Sequence, residues 1–407
     1  MIKNRLSRLL IPLFMFVVGV TTATALIAHS LRSAPPAPPP NPPPDPPEVS
    51  MNTKPSLEMV FVLDTTGSMG GLLEGAKQKI WSIVNEVMQS PSRPAVRVGL
   101  VAYRDRGDAY VTQVLPLTND LDRVYSTLMN YKAEGGGDTP EDVRRALADG
   151  VHEAGWSQSS SSIAQILFLV GDAPPHEDYQ NEPTTEVSVA DASRAGIIIN
   201  TIQCGNMSET TPVWQAIAGR GQGQYFSIAQ NGGVQAITTP YDKDIAELGA
   251  RLGSTYVSYG GGAGEAGEKY RADTRARQFD AEVSVAARAA PSAQADRAVN
   301  KVLNSDAYVG DLLQSIENGS LKLDSVKDED LPADLRKLSA NERKAEVAKR
   351  LAERAKIRAD IMSLSKQRDE FISGERKKQA ASGSKEAGFD VAVSRALKTQ
   401  VEKKGIK

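Results

Sequence analysis

The run Leu57-Glu58-Met59-Val60-Phe61-Val62-Leu63-Asp64-Thr65-Thr66-Gly67-Ser68-Met69-Gly70-Gly71 decides how the rest of the chain is read. Residues 59–63 are continuously apolar, the pattern of a strand covered on both faces in a parallel sheet. The run stops at Asp64 and gives way to a polar, glycine-containing turn, and an apolar helical spacing starts near Leu72. Strand, polar turn and helix in that order build the edge of an α/β sheet where ligands usually bind. The turn offers hard oxygen donors at alternate positions: the carboxylate of Asp64 and the hydroxyls of Thr66 and Ser68. Oxygen donors around an octahedral centre suit Mg2+, Mn2+ or Ca2+ rather than zinc.

Downstream, the same alternation repeats. Strands are predicted at 96–103, 110–115, 163–170, 197–204 and 224–228, and helices at 72–88, 121–131, 187–195, 213–218 and 234–252. A further helix is expected to open at Thr139 as N-cap, with Pro140 first and Glu141 and Asp142 in its first turn, and to run to about residue 154. Strands alternating with helices predict an α/β fold with a doubly wound, mainly parallel sheet, followed by a mostly helical C-terminal region. Asp64 and Asp172 each end an apolar strand, and Thr139 follows the glycine run 135–137. In a doubly wound sheet these three turns converge at one edge.

The order Asp64-Thr65-Thr66-Gly67-Ser68, then Thr139, then Asp172 resembles the metal-ion-dependent adhesion site of the von Willebrand factor type A domain family. The resemblance covers residues 55–253, and the Gly-Gly-Gly-Asp-Thr-Pro-Glu and Asp-Ala-Pro-Pro-His segments look closest to bacterial secreted members. It implies a Rossmann-like fold in which Thr66 and Ser68 hold the ion directly. Asp64 and Asp172 would bond it directly or through water, and the contact of Thr139 would depend on conformation. Thr66 departs from the serine of many members but keeps the hydroxyl. Mg2+ is the expected ion, with Mn2+ or Ca2+ as alternatives. Its open position would take a Glu or Asp carboxylate of a protein partner, with Asp138 and His176 on the rim.

Around this domain the chain divides unevenly. Lys3, Arg5 and Arg8 precede an uncharged stretch over 9–28, which marks residues 1–33 as a signal peptide or signal anchor. Its length favours an uncleaved anchor, and its charges keep the N-terminus inside, so the remainder is expected to be exported. The protein would then face the periplasm or the extracellular side, or be secreted if the signal is cleaved. Residues 34–54 are proline-rich, a semi-rigid spacer. Residues 254–335 are an uncertain linker or α(+β) segment, 336–380 a charged helix with a broken apolar stripe and coiled-coil potential, and 381–407 a tail.

Charge and cysteine content exclude several classes. The 407 residues carry a formal net charge of -2, but residues 55–253 hold 14 Lys and Arg against 24 Asp and Glu. That acidic balance argues against nucleic-acid binding, which needs a basic face. Cys204 is the single cysteine and sits in an apolar run, so it reads as a buried hydrophobe. Three scattered histidines do not make a zinc cluster, and the glycines at 260–262 lack the Gly-Lys-Ser/Thr of a phosphate loop. Arg106-Gly107-Asp108 is a tripeptide that any exposed turn can give by chance. The chain is therefore expected to bind rather than catalyse. A metal-dependent hydrolase and an envelope scaffold with a structural ion are the alternatives.

Overall fold

The apolar run becomes β1 (Ser56–Asp64), one of the two central strands of a six-stranded sheet. The computed structural model describes residues 55–404 apart from 235–236, 305–306 and 382–387. The expected signal segment, residues 1–33, and the expected proline-rich spacer, residues 34–54, lie outside the described residues. Among those described, no helix is long and apolar enough to cross a membrane.

After β1, a 3-10 turn at Gly67–Met69 leads into α1 (Gly70–Met88). Then follow β2 (Ala95–Tyr103), β3 (Thr112–Thr118), α2 (Leu121–Asn130), α3 (Val143–His152) and β4 (Ile163–Gly171). The alternation continues through α4 (Thr185–Ala195), β5 (Ile198–Cys204), α5 (Thr210–Arg220), β6 (Gln222–Ile228) and α6 (Asp242–Ser254). The strand order is β3-β2-β1-β4-β5-β6, with only β3 antiparallel. The order reverses between β1 and β4, so the crevice at their carboxyl ends is the natural ligand site of such a sheet.

Side chains of β1 alternate between two cores, as the two-residue period requires. Leu57, Met59, Phe61 and Leu63 face α1, α2 and the C-terminal helices, whereas Val60 and Val62 face α3, α4 and α5. Helix α1 is buried around most of its girth, from Leu72 and Ile80 to Trp81 and Val84, because later elements cover its outer side.

Those later elements are helical: α7 (Gly264–Arg288), α8 (Pro291–Leu303), α9 (Leu312–Glu317), the single turn α10 (Ala333–Arg336), α11 (Ala340–Ala381) and α12 (Phe389–Val401). Residues 254–335, expected as a linker or α(+β) segment, hold α7 to α9 and the start of α10, and Asn52–Lys407 is one compact unit. Between α8 and α9 the chain turns at Gly310, whose φ of +75° no helix interior adopts. Helix α11 is 42 residues long, yet its stripe of Val347, Ile357 and Ile361 is buried against α6, α8, α9 and α10 of the same chain. Within the expected tail, α12 packs on the sheet itself. Phe389 tilts against Phe61 at 6.0 Å, and Asn200 and Gln400 exchange amide hydrogen bonds of 3.0 and 2.7 Å.

Candidate metal centre

Asp64, the last residue of β1, is fully buried. Its Oδ1 accepts hydrogen bonds from the Thr66 backbone N–H at 2.8 Å and from the Thr66 hydroxyl at 2.6 Å. The Thr66 hydroxyl in turn lies 3.5 Å from that of Ser68, which is exposed. Thr65 points the other way: its hydroxyl reaches the Tyr103 carbonyl at 2.8 Å and the Tyr110 hydroxyl at 2.7 Å. Alternate residues of the turn therefore serve anchor and site.

Asp172 follows β4 and meets Asp64 within hydrogen-bonding range. Gln230 donates to its Oδ2 at 2.6 Å, and the Thr210 hydroxyl holds its carbonyl at 2.9 Å. The close approach needs Gly171, where a Cβ would stand 2.3 Å from the Tyr103 hydroxyl and 3.1 Å from Asp64 Oδ2. That Oδ2 is buried and has no hydrogen-bond partner. Burial first, and Asp172 after it, push the Asp64 carboxyl up to about 7 against the pull of the Thr66 bonds. Two apposed carboxylates with an orphaned buried oxygen are the donor set a divalent cation satisfies.

The third loop closes over the turn. Glu134 donates to the Thr65 carbonyl at 3.1 Å, and Gly67 to the Gly135 carbonyl at 3.2 Å. Gly135 and Gly136 both adopt φ of +82°, and a Cβ at Gly135 would strike the Asp108 carboxylate. Thr139 is exposed and does not open a helix. Helix α3 starts at Val143, and Asp142 is its cap, accepting from Arg145 N–H at 3.2 Å. Glu141 is drawn instead into a parallel bridge with Pro175, with its N–H on the Pro174 carbonyl at 3.0 Å. Its side chain is buried, and Oε2 has no hydrogen-bond partner. Burial pushes this carboxyl up to about 9, and Asp64, Asp105, Asp108 and Asp172 add to the rise.

Beside this edge, Asp105, Asp138 and His176 bring candidate ligand atoms within 4.8 Å of one another, a possible acidic metal site. His176 Nε2 stands 3.6 Å from Asp105 and 3.7 Å from Asp138, while Nδ1 pairs with Asp178 at 2.9 Å. Burial lowers the His176 pKa, but these carboxylates outweigh it and the net shift is upward. Tyr179 stacks on the imidazole at 4.1 Å and donates its hydroxyl to Asp105 at 2.8 Å.

The structure thus brings Asp64, Thr66, Ser68 and Asp172 together, sets Asp138 and His176 on a shared rim, and leaves Thr139 on the surface. Glu141, Asp105, Gln230 and Tyr179 were not singled out from the sequence. Asp105 lay within the Arg-Asp-Arg-Gly-Asp turn, which the tripeptide at 106–108 drew attention to for another reason. That tripeptide is engaged internally: Arg106 pairs with Asp142 at 3.3 Å and lies 4.0 Å over Tyr179, and Asp108 accepts from the N–H groups of Asp105 and Gly136.

The fold is thus a doubly wound α/β sheet whose switch point is oxygen-rich and lined by carboxylates. The family model described as the von Willebrand factor A domain matches residues 58–240. Over these residues, less than half of the chain, it carries a von Willebrand factor A domain. Von Willebrand factor A domain-containing protein 7 of Mus musculus is 37% identical over 97 residues, 24% of this chain and 10% of that protein, and the Homo sapiens protein matches at the same identity and coverage. A putative ariadne-like RING finger protein of Acanthamoeba polyphaga mimivirus is 26% identical over 126 residues, 31% of this chain and 12% of that protein. The chain thus spans about a tenth of the length of these curated relatives. Among solved structures, proximal thread matrix protein 1 from the mussel byssus aligns at a TM-score of 0.32 and 11% identity, covering 44% of this chain and 43% of that one.

Proposed function

We propose that this domain binds Mg2+ between Asp64, Thr66, Ser68 and Asp172 and, through the ion, an acidic group of a protein partner. The observation that carries the reading is the buried, unpartnered Asp64 Oδ2 against the Asp172 carboxyl. A cation between them would relieve a repulsion that the fold otherwise bears. The Thr66 and Ser68 hydroxyls supply neutral ligands without adding charge, so the ion would retain attraction for a hard anion. The family supports a protein-interaction or adhesion-type role.

The reading is one of binding, not turnover. Ser68 lies 3.5 Å from the Thr66 hydroxyl, and His176 pairs with Asp178 and faces Asp105 and Asp138, contacts that support binding over a nucleophile–base pair. Export and anchoring through residues 1–33 rest on the charge and apolar pattern of that segment.

A pull-down with the Asn52–Lys407 unit in Mg2+, in EDTA, and with Asp64→Ala tests the proposal, alongside calorimetry for the metal. A partner retained only with Mg2+ and intact Asp64 is the expected result. Metal-independent capture, or no heat of Mg2+ binding, would remove it.

A further inference from the structure

In the third loop, the residue expected to meet the ion is turned to solvent. Thr139 is exposed, whereas two positions on, Glu141 is only 3% exposed and its Oε2 is buried without a hydrogen-bond partner. The backbone fixes that direction. Glu141 N–H is held by the Pro174 carbonyl and its own carbonyl accepts from His176 N–H at 3.1 Å, so the residue is stitched to the loop that carries Asp172. Its carboxylate also adjoins the Asp64 turn: the position of a Cβ on Gly136 is 3.2 Å from Glu141 Oε1 and 3.3 Å from Thr66 Cβ. Gly136, with no side chain, is what lets these two groups face one another.

We propose that Glu141, not Thr139, is the third-loop ligand of the cation in this chain. The inference rests on the metal reading above and changes its charge balance. A buried carboxylate without donors is costly to keep, and a divalent ion beside Thr66 is what would complete its coordination. With Asp64, Asp172 and Glu141 around one divalent ion, the ligand charge is three against two. A threonine hydroxyl in the third place would leave the ion neutralised instead. The occupied site is therefore richer in carboxylate than the motif Asp-x-Thr-x-Ser alone implies, and its affinity for the metal rises with that ligand charge.

Calorimetric titration of the full 407-residue chain with MgCl2 tests this, using wild type, Glu141→Gln, Glu141→Asp and Thr139→Ala. Glu141→Gln is expected to weaken Mg2+ binding by about tenfold or more, since it removes a charged ligand at constant shape. Thr139→Ala is expected to leave it unchanged. Thermal unfolding supplies a second readout. Without metal, Glu141→Gln should melt above wild type because it removes a buried carboxyl with an unpartnered oxygen, and it should gain less from added Mg2+. Glu141→Asp keeps the charge but retracts it by one methylene, and it should also bind more weakly. Wild-type affinity in both Glu141 variants, or loss in Thr139→Ala alone, would overturn the assignment while leaving the metal reading intact. Absence of Mg2+ binding by wild type would remove both.

Discussion

Asp64 and Glu141 are held from water beside other carboxylates, and each side chain has one buried oxygen that accepts no hydrogen bond. Burial raises their folded pKa values from 3.8 to about 7 and from 4.5 to about 9. The folded chain therefore keeps protons that the unfolded chain has released, so stability falls as pH rises through this range. Without metal, the melting temperature should be highest near pH 4 to 5 and decline towards pH 9. Added Mg2+ should stabilise most at the alkaline end, where both carboxylates are ionised. Melting curves with Mg2+ and with EDTA across that range check it, and a metal-free profile that rises with pH would contradict the assignment of the raised groups. Asp64, Thr66, Ser68 and Asp172 were legible in the sequence because each lies next to the end of a strand, where an apolar run marks the sheet edge. Glu141 was not. Thr139-Pro140-Glu141-Asp142 satisfies the local rules for a helix start, yet the bridge between Glu141 and Pro175 pulls the chain straight until Asp142 can cap α3. A local signal cannot register a tie to a loop more than thirty residues on.

At the scale of elements, the parallel strands were readable because burial on both faces makes them continuously apolar. Helix α7 was not, since Phe279 and Val283 lie exposed on it and no clean stripe separates its faces. Helix α11 carries an excess of basic residues that suggests a solvated or lipid-facing surface, but part of that charge is turned inward. Arg368 joins Asp242 and Asp296 at 2.7 Å each, and Arg354 pairs with Asp311 where both side chains are wholly buried. Arg354 also donates to the Thr255 hydroxyl at 2.9 Å and to its carbonyl at 3.0 Å. Arg354→Ala would strand the Asp311 carboxylate away from water and should cost about 3–5 kcal/mol in urea unfolding. A loss below about 1 kcal/mol, the range of a surface pair, would show that α11 is not clamped through this contact.

For the molecule as a whole, the apolar face of the sheet that holds Phe61 and Phe168 is covered by α1, α2 and, last in the chain, α12, from the stretch expected to be a tail. That helix escaped notice because its apolar residues follow a charged region and a segment rich in small and polar residues. Phe389 is almost fully buried there, and Phe389→Ala should destabilise the domain by about 3–5 kcal/mol, measured by chemical unfolding. An effect confined to α12, with the sheet's transition unchanged, would mean the helix is an accessory.

The packing of Phe389 on Phe61 also sets an order of events. The two rings are separated by more than three hundred residues of chain, so the contact closes one of the longest loops the protein can form. A ribosome that has delivered β1 to β6 has made every strand of the sheet, with α1 and α2 for this face, but not the α12 that completes its cover. Until residue 401 has emerged, Phe61 lacks its ring partner Phe389 on that side. The sheet can therefore form early, while this face reaches its final packing only when α12 arrives.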